Sequence, residues 1–287
     1  MFSFFYNACL FLLGFMVLPK LLWQCWHTGK YRSSLRARLG WNFPSFRPQD
    51  GEKVIWMHAV SMGEVKAMVA LFHAVRSHFP NQPVIISTTT ETGLAEAKRS
   101  MPGAKDHFIL PLDFSWIMRR LVQSLNPSYL ILCESDFWFH LLSEAKAQGA
   151  KVCLINGKMS DRSFRRFLSL SFLTRRLFSC FDVMCLQNEE YYKRFVSLGI
   201  PQDKLRMTGN LKLESIPPKK TEEELNAFRS RLGTHSSDLV LVIGSTHSPE
   251  EEEILRMLTP LLDRWPQLKI LLVPRHPERF DVVAALS

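Results

Sequence analysis

The first 49 residues contain no aspartate or glutamate; the earliest carboxylate side chain is Asp50. Lys20, Lys30, Arg32, Arg36, Arg38 and Arg47 fall in that same stretch and supply most of the excess behind a net charge of +9. A domain that binds nucleic acid spreads its basic residues over a folded surface. Here they cluster beside an apolar run, which argues against nucleic acid and for a membrane surface with anionic lipids. The six cysteines, Cys9, Cys25, Cys133, Cys153, Cys180 and Cys185, form no CxxC pair, and most sit in apolar runs such as FDVMCLQ. That excludes a disulfide framework and a cysteine zinc site, and describes reduced core thiols. Also missing are GxSxG, GxGxxG, HExxH and DxD. Their absence removes the hydrolase elbow, the dinucleotide fingerprint, the zinc-protease helix and a metal-held sugar nucleotide. No metal and no cofactor is expected. The sequence holds no repeat and no low-complexity segment.

What is there begins with Phe2 to Leu18, an apolar run interrupted weakly by Ser3, Asn7 and Gly14. A signal peptide carries its positive charge before the apolar region; this run has none before it and a basic cluster after it. The pattern predicts a membrane anchor over residues 1–28, with the body of the protein on the cytoplasmic side. Its 17 residues are few for a full span, and shallow insertion with Trp23 and Trp26 at the interface fits equally. A basic connector follows over 29–52.

From there, short apolar runs alternate with helical patterns. Strands are predicted at Val54–His58, Val84–Ser87, His107–Leu110, Tyr129–Cys133, Val152–Ile155, Val183–Leu186 and Leu205–Thr208. Helices are predicted near 65–79, 92–100, 114–125, 137–148, 164–179 and 189–198. Continuous apolar strands with helical crossovers predict a doubly wound α/β domain over 53–209, built on a parallel sheet. Pro217-Pro218 marks a linker over 210–221. A second α/β unit over 222–287 opens at Thr221 with Glu224 in capping-box spacing. Its two strands and three helices are too few to cover a sheet on both faces, so it reads as an incomplete Rossmann-like domain.

The candidate chemistry sits at strand ends. His58–Glu64, HAVSMGE, places Glu64 where the first strand meets a helix, at the carboxyl edge where open α/β sheets bind ligands. Ser61 and Glu64 also have capping-box spacing, the commoner use of that pattern. Glu134 and Asp136, in CESDFW, follow another strand; Asp136 suits a helix N-cap, whereas Glu134 follows four apolar residues and needs a partner or a role. Asn156 and Lys158, around a Gly157 turn, offer donors to an anion. Lys212 lies at the junction between the two units. Gly244-Ser245-Thr246-His247 precedes a helix whose first amides suit an anion. Arg275 and His276, with Pro277 opening the next helix, add a bidentate fork and a second donor.

Together HAVSMGE, the STTTETG run at 87–93, ESDFW, NGKMS, GNLK, GSTH and PRHPERF resemble the Kdo (3-deoxy-D-manno-octulosonic acid) transferases of Gram-negative bacteria, in order and spacing, from about residue 5 to 287. The resemblance implies a GT-B fold and inverting, metal-independent transfer of Kdo from CMP-Kdo onto the lipid A precursor, lipid IVA, at the cytoplasmic face of the inner membrane. It implies Glu64 as general base, with Glu134 and Lys212 stabilising the transition state. Arg275 and His276, with Ser245, Thr246 and His247, are implied on the CMP-Kdo side. Ser61, Gly63, Asn156 and Lys158 are implied on the acceptor side. NGKMS departs from the family's NARLS. The family also continues beyond PRHPERF, so this chain reads as C-terminally truncated and is expected to transfer little Kdo by itself; the alternative is an inactive remnant acting as a membrane-tethered lipid-binding or scaffold protein.

Overall fold

The computed structural model describes residues 2–28, 32–213 and 220–286. Lys30 and the Pro217-Pro218 linker lie outside them, as do the side chains of Lys20 and Cys25. The chain divides into two compact units, Met1–Ile216 and Pro217–Ser287.

In the first unit α1 (Phe2–Thr28) and the short α2 (Leu35–Arg38) precede a seven-stranded parallel sheet. Its elements run β1 (Val54–Ala59), α3 (Met62–His78), β2 (Val84–Thr88), α4 (Glu91–Ser100), β3 (Asp106–Ile109), α5 (Ser115–Leu125), β4 (Pro127–Cys133), α6 (Phe139–Ala147) and β5 (Lys151–Gly157). They continue with α7 (Asp161–Ser169), α8 (Ser171–Phe178), β6 (Val183–Leu186), α9 (Glu189–Ser197) and β7 (Leu205–Met207). The strand order is β3-β2-β1-β4-β5-β6-β7. Every residue of β1 and β2 is buried, because side chains alternate between two covered faces. Val54 and Trp56 join Leu130, Leu132, Val152 and Leu154 under α5, α6, α8 and α9. Ile55 and Met57 join Val84, Ile86 and Ile131 under α3, whose Val65, Met68 and Phe72 complete that face. The doubly wound sheet read from the sequence is present, with strand ends shifted by one or two residues.

One predicted helix, 164–179, is two. The chain breaks at Leu170 (φ −110°, ψ 42°) between α7 and α8. Thr174, fully buried, donates its hydroxyl to the Phe167 carbonyl at 2.6 Å across the break. The bend lets Phe164 and Phe167 of α7 and Leu177 and Phe178 of α8 reach one core.

The order of the sheet fixes where chemistry can occur. Chain direction reverses between β1, whose crossovers lead to β2 and β3, and β4, which starts the other half. Beyond the carboxyl ends of these two neighbours lies the topological switch point, the ligand crevice of open α/β sheets. The loops there are 60–61 after β1 and 134–138 after β4.

Near its start, α1 is held to this unit. Tyr6 donates its hydroxyl to Asp113 at 3.1 Å, and Asn7 exchanges hydrogen bonds with Ser115, Nδ2 to Oγ at 2.8 Å and Ser115 N to Oδ1 at 3.2 Å. Phe2 packs edge-on against Phe139, with Arg176 over its ring. Phe4, Phe5, Phe11, Leu12, Leu13, Phe15 and Met16 are exposed. Among the described residues no helix is long and apolar enough to cross a membrane.

The second unit contains α10 (Glu222–Arg231), β8 (Leu239–Thr246), α11 (Glu250–Arg264), β9 (Leu268–Pro274) and α12 (Phe280–Ala284). Thr221 and Glu224 form the reciprocal capping box expected of them. β8 and β9 pair in parallel from Leu239↔Leu268 to Gly244↔Val273, with an irregularity before Thr246↔Pro274.

Candidate active site

Three strand ends and one turn of the first unit build the site. After β1, Ser61 caps α3 in an extended conformation (φ −121°, ψ 164°) and accepts from the Glu64 amide. The reciprocal bond is offset by one residue: Glu64 Oε2 accepts from the Val60 amide at 2.7 Å. Capping therefore holds the backbone of Glu64 and its half-buried carboxylate, Oε2 through the Val60 amide and Oε1 at 3.5 Å from the Ser61 hydroxyl. Burial pushes its proton affinity above the ordinary glutamate range; the Val60 amide opposes this, and the charges of Glu134 and Asp136 add to it. The neighbouring Gly63 is exposed, and a Cβ there would meet only the Ser61 hydroxyl, at 3.9 Å.

After β4, Glu134 adopts a left-handed conformation (φ 66°) that costs a non-glycine residue about 1–3 kcal/mol. Five contacts hold it there. Its amide donates to the Ile155 carbonyl at 2.9 Å and its carbonyl accepts from the Lys158 amide at 3.3 Å. Its carboxylate, 2% exposed, is ion-paired with Lys158 and, at 2.7 Å, with Lys212, and accepts from Asn156 Nδ2 at 3.3 Å. Burial raises its proton affinity, but the two ammonium groups outweigh burial and hold the carboxyl below its usual range. Lys158 is correspondingly held charged: burial works against the ammonium and the Glu134 carboxylate overrides it.

Asn156 differs from the sequence expectation. Placed on the acceptor side there, it is buried to 1% and its side chain is committed to the protein. Its Oδ1 accepts from the Leu211 amide at 3.0 Å, its Nδ2 donates to Glu134, and its backbone carbonyl accepts from Gln187 at 2.9 Å. Asn156 ties β5 to the turn Leu211–Leu213 that carries Lys212. Beside it, a Cβ on Gly157 would lie 2.7 Å from Leu186 Cδ2 and 2.8 Å from Leu154 Cδ2, so a larger residue there requires those side chains to shift.

Asp136 also corrects its expectation. It is not the N-cap of α6; that place belongs to Trp138, without a side-chain cap. The first amides of α6, at His140 and Leu141, donate instead to Asp113 at 2.9 and 2.8 Å. Asp136 Oδ2 faces His58 Nε2 at 2.8 Å and accepts from Trp138 Nε1 at 2.6 Å. His58 is fully buried, with Nδ1 2.8 Å from Ser87 Oγ, and Ser87 accepts from Trp56 Nε1 at 2.7 Å. Sequence reasoning assigned no role to His58, Ser87 or Asp113. Their partners lie 78, 29 and 107 residues away, and only the fold brings them together.

In the second unit β8–β9 pairing brings GSTH and PRHPER together. Arg275 Nη1 donates to Ser245 Oγ at 3.3 Å, its amide donates to the Thr246 carbonyl at 3.0 Å, and the His247 and His276 rings meet edge-on with centroids 5.8 Å apart. Ser245 is left-handed (φ 67°). Thr246 is buried, and its hydroxyl has no hydrogen-bond partner among the described residues. The amide of His247 is occupied: it donates to Glu250 Oε2 at 2.8 Å. Four glutamates fill the first turn of α11, so an anion at this loop meets the side chains of Ser245, Arg275 and the histidines more readily than the helix amides. Among the described residues no three histidine, cysteine or acidic side chains are grouped to hold a metal ion.

A family model for 3-deoxy-D-manno-octulosonic-acid transferase (kdotransferase) matches residues 33–215, the region holding Glu64, Glu134, Asn156, Lys158 and Lys212. The chain belongs to the Kdo transferase family. A 3-deoxy-D-manno-octulosonic acid transferase of Chlamydia trachomatis serovar A is 34% identical over 282 residues, 98% of this chain and 64% of the relative. One from Haemophilus influenzae is 29% identical over 287 residues, 100% of this chain and 66% of the relative. The chain thus spans slightly less than two thirds of the length of these relatives. Among solved structures, the UDP-GlcNAc 2-epimerase of Neisseria meningitidis matches with a TM-score of 0.53 at 14% identity, covering 82% of this chain and 69% of the epimerase. The putative UDP-N-acetylglucosamine 2-epimerase of Listeria monocytogenes matches at 0.55 and 7% identity, covering 82% and 65%. At such identities the likeness is one of fold: a Rossmann-like α/β sheet arrangement resembling that of GT-B glycosyltransferases. For this Kdo transferase family member, the matched region contains the whole Glu64–Glu134 crevice.

Proposed function

We propose that this protein is a GT-B glycosyltransferase that moves Kdo from CMP-Kdo onto the lipid A precursor lipid IVA, with inversion at the anomeric carbon and Glu64 as general base. The observation that carries the reading is the pair of carboxylates at the β1/β4 switch point, whose proton affinities are pushed in opposite directions. Glu64 is partly desolvated, with its proton affinity raised; Glu134 is locked ionised between two lysines. Different environments for two acids in one crevice separate the proton acceptor from the electrostatic support.

Glu64 accepts the proton of the acceptor's sugar hydroxyl as that oxygen bonds to the anomeric carbon of Kdo from the face opposite the leaving group. The bond from that carbon to the CMP phosphate breaks, and CMP departs with the electron pair. Positive charge on the sugar and negative charge on the phosphate develop together. Glu134 contributes through the lysines it aims: its charge is matched by Lys158 and Lys212, whose positive charge suits the carboxylate of Kdo or the departing phosphate. Ser245, Thr246, His247, Arg275 and His276 form the donor side, while Ser61 and Gly63 border Glu64 on the acceptor side. Asn156 positions Glu134 and the Lys212 turn. The exposed apolar residues of α1 rest in the cytoplasmic leaflet of the inner membrane, at interfacial depth, with the neighbouring basic residues on anionic head groups.

Saturation-transfer NMR on the chain with CMP-Kdo and UDP-GlcNAc offered together tests the donor. CMP-Kdo is expected to receive saturation, and to lose it in Arg275→Ala. Saturation of UDP-GlcNAc alone would assign the protein to a different transfer.

A further inference from the structure

Away from the Glu64–Glu134 crevice, the first unit carries an apolar surface that the transfer chemistry does not use. It centres on the corner between α7 and α8, where LSLSF runs over residues 168–172. Leu168, Leu170 and Phe172 are 45%, 54% and 72% exposed. The core does not draw on them, because Phe164 and Phe167 before the break and Leu177 and Phe178 after it already pack against that side of the sheet. Apolar residues scattered singly over a surface are ordinary, but these three belong to a larger patch. The Phe172 ring stands edge-on to Phe2 with centroids 6.3 Å apart. Between the corner and α1 runs a groove of about 960 Å³, with Phe2, Phe5, Tyr6 and Cys9 on one wall and residues 169–173 with Arg176 on the other. Phe5 also belongs to the exposed face of α1, so the corner and that face are continuous. Contiguous apolar surface of this kind marks an interaction site.

The rim of the patch carries charge of one sign. Asp161–Phe178 holds five arginines, Arg162, Arg165, Arg166, Arg175 and Arg176, all exposed. The acid of that stretch, Asp161, is paired with Arg194 at 2.6 Å. Arg176 lies over the Phe2 ring, 4.9 Å from its centroid, and places a cation in the groove wall itself. Exposed leucine and phenylalanine rimmed by arginine match the boundary between acyl chains and anionic head groups, where apolar side chains enter and guanidinium groups stay at the phosphates. A second copy of this chain matches less well, since a two-fold contact sets the patch against itself and brings like charges together.

We propose that the α7–α8 corner is a second membrane-contact site, which joins the start of α1 in one surface for an anionic phospholipid bilayer. Leu168, Leu170 and Phe172 enter the leaflet at interfacial depth, and the flanking arginines lie on its phosphates. The site goes beyond the contact assigned to α1 and does not depend on the transfer reaction.

The test is partition of the full chain, measured by flotation, onto vesicles of phosphatidylethanolamine with phosphatidylglycerol and onto vesicles of phosphatidylcholine alone. Neither contains CMP-Kdo or lipid IVA, so the result is separate from that of the donor experiment. Leu170→Ser/Phe172→Ser, with α1 intact, is expected to weaken partition onto the anionic vesicles about 10-fold. Arg165→Gln/Arg166→Gln should weaken it by about 10-fold or more at low salt, and by much less at about 1 M salt, where head-group attraction is screened. On phosphatidylcholine the arginine pair should behave as wild type. Both variants replace exposed side chains and should keep the wild-type thermal midpoint, which separates lost binding from lost folding. Wild-type partition by both variants, or no partition of the wild-type chain onto anionic vesicles, overturns the proposal. So does a dimer formed without lipid that Leu170→Ser/Phe172→Ser abolishes while vesicle binding is kept, which would assign the corner to a second copy.

Discussion

Glu134 and Asp113 are both buried acids of the first unit, and their surroundings drive them apart. Two ammonium groups hold Glu134 ionised. Asp113, 2% exposed, receives the His140 and Leu141 amides and the Tyr6 hydroxyl, and burial pushes its carboxyl up to about 7 from an ordinary 3.8. Between those two values the folded state keeps a proton that the unfolded chain releases, so Asp113 stabilises the fold fully below pH 3.8 and progressively less up to about 7. Thermal unfolding from pH 5 to 8 should therefore show a downward slope that is reduced in Asp113→Asn; an equal slope in both proteins would sink this assignment. At this scale the need of Glu134 for partners was legible, because a charged residue directly after an apolar strand needs one, and so was the Ser61 cap at Glu64. His58 was not, since a histidine within VIWMHA reads as core, and its partner Asp136 lies three strands further along the chain. Asp113 was hidden for the same reason. In LPLDFSW nothing local tells that it caps a helix 26 residues later.

Elements transmit these residue-level contacts. α6 begins just beyond the 134–138 loop, its first amides are held by Asp113, and Asp113 is held by Tyr6 of α1. The start of α1 is thus one hydrogen bond from the group that anchors the helix after the 134–138 loop. Tyr6→Phe removes that bond and keeps the ring against Phe139 and His140. A loss of about 1 kcal/mol of local protection is expected in the first two turns of α1 and the first turn of α6. Hydrogen exchange at those amides checks it, and unchanged exchange would separate the two helices. Periodicity revealed the strands and most helices, since continuous apolar runs suit a sheet covered on both faces. It missed the break at Leu170, because SLSFL continues the helical spacing of its neighbours. The break is set by which phenylalanines must reach the core, a tertiary requirement.

For the whole molecule, the decisive feature is strand order. Alternation of strands and helices in the sequence implies a doubly wound sheet but does not say where its direction reverses. With β1 beside β4, the loops carrying Glu64 and Glu134 become neighbours across the switch point, and the turn after β7 reaches back to them through Asn156 and Lys212. The second unit gathers Ser245, Arg275, His247 and His276 at the carboxyl ends of β8 and β9 by the same rule. Candidate residues read singly as caps, turns and linker lysines become one crevice when the sheet is assembled, and Ser61 both caps α3 and holds Glu64 in place. The central claim is that Glu64 removes the proton from the acceptor hydroxyl. It is tested most directly by the complete gene that contains this sequence, with and without Glu64→Ala, in a bacterial strain lacking its own Kdo transferase, with protein level confirmed by immunoblot. Rescue by the wild-type gene and none by Glu64→Ala at equal protein level is expected, in keeping with the loss of about 10²–10⁴ in rate that removing a general base brings. Rescue by Glu64→Ala as complete as by the wild type would contradict it.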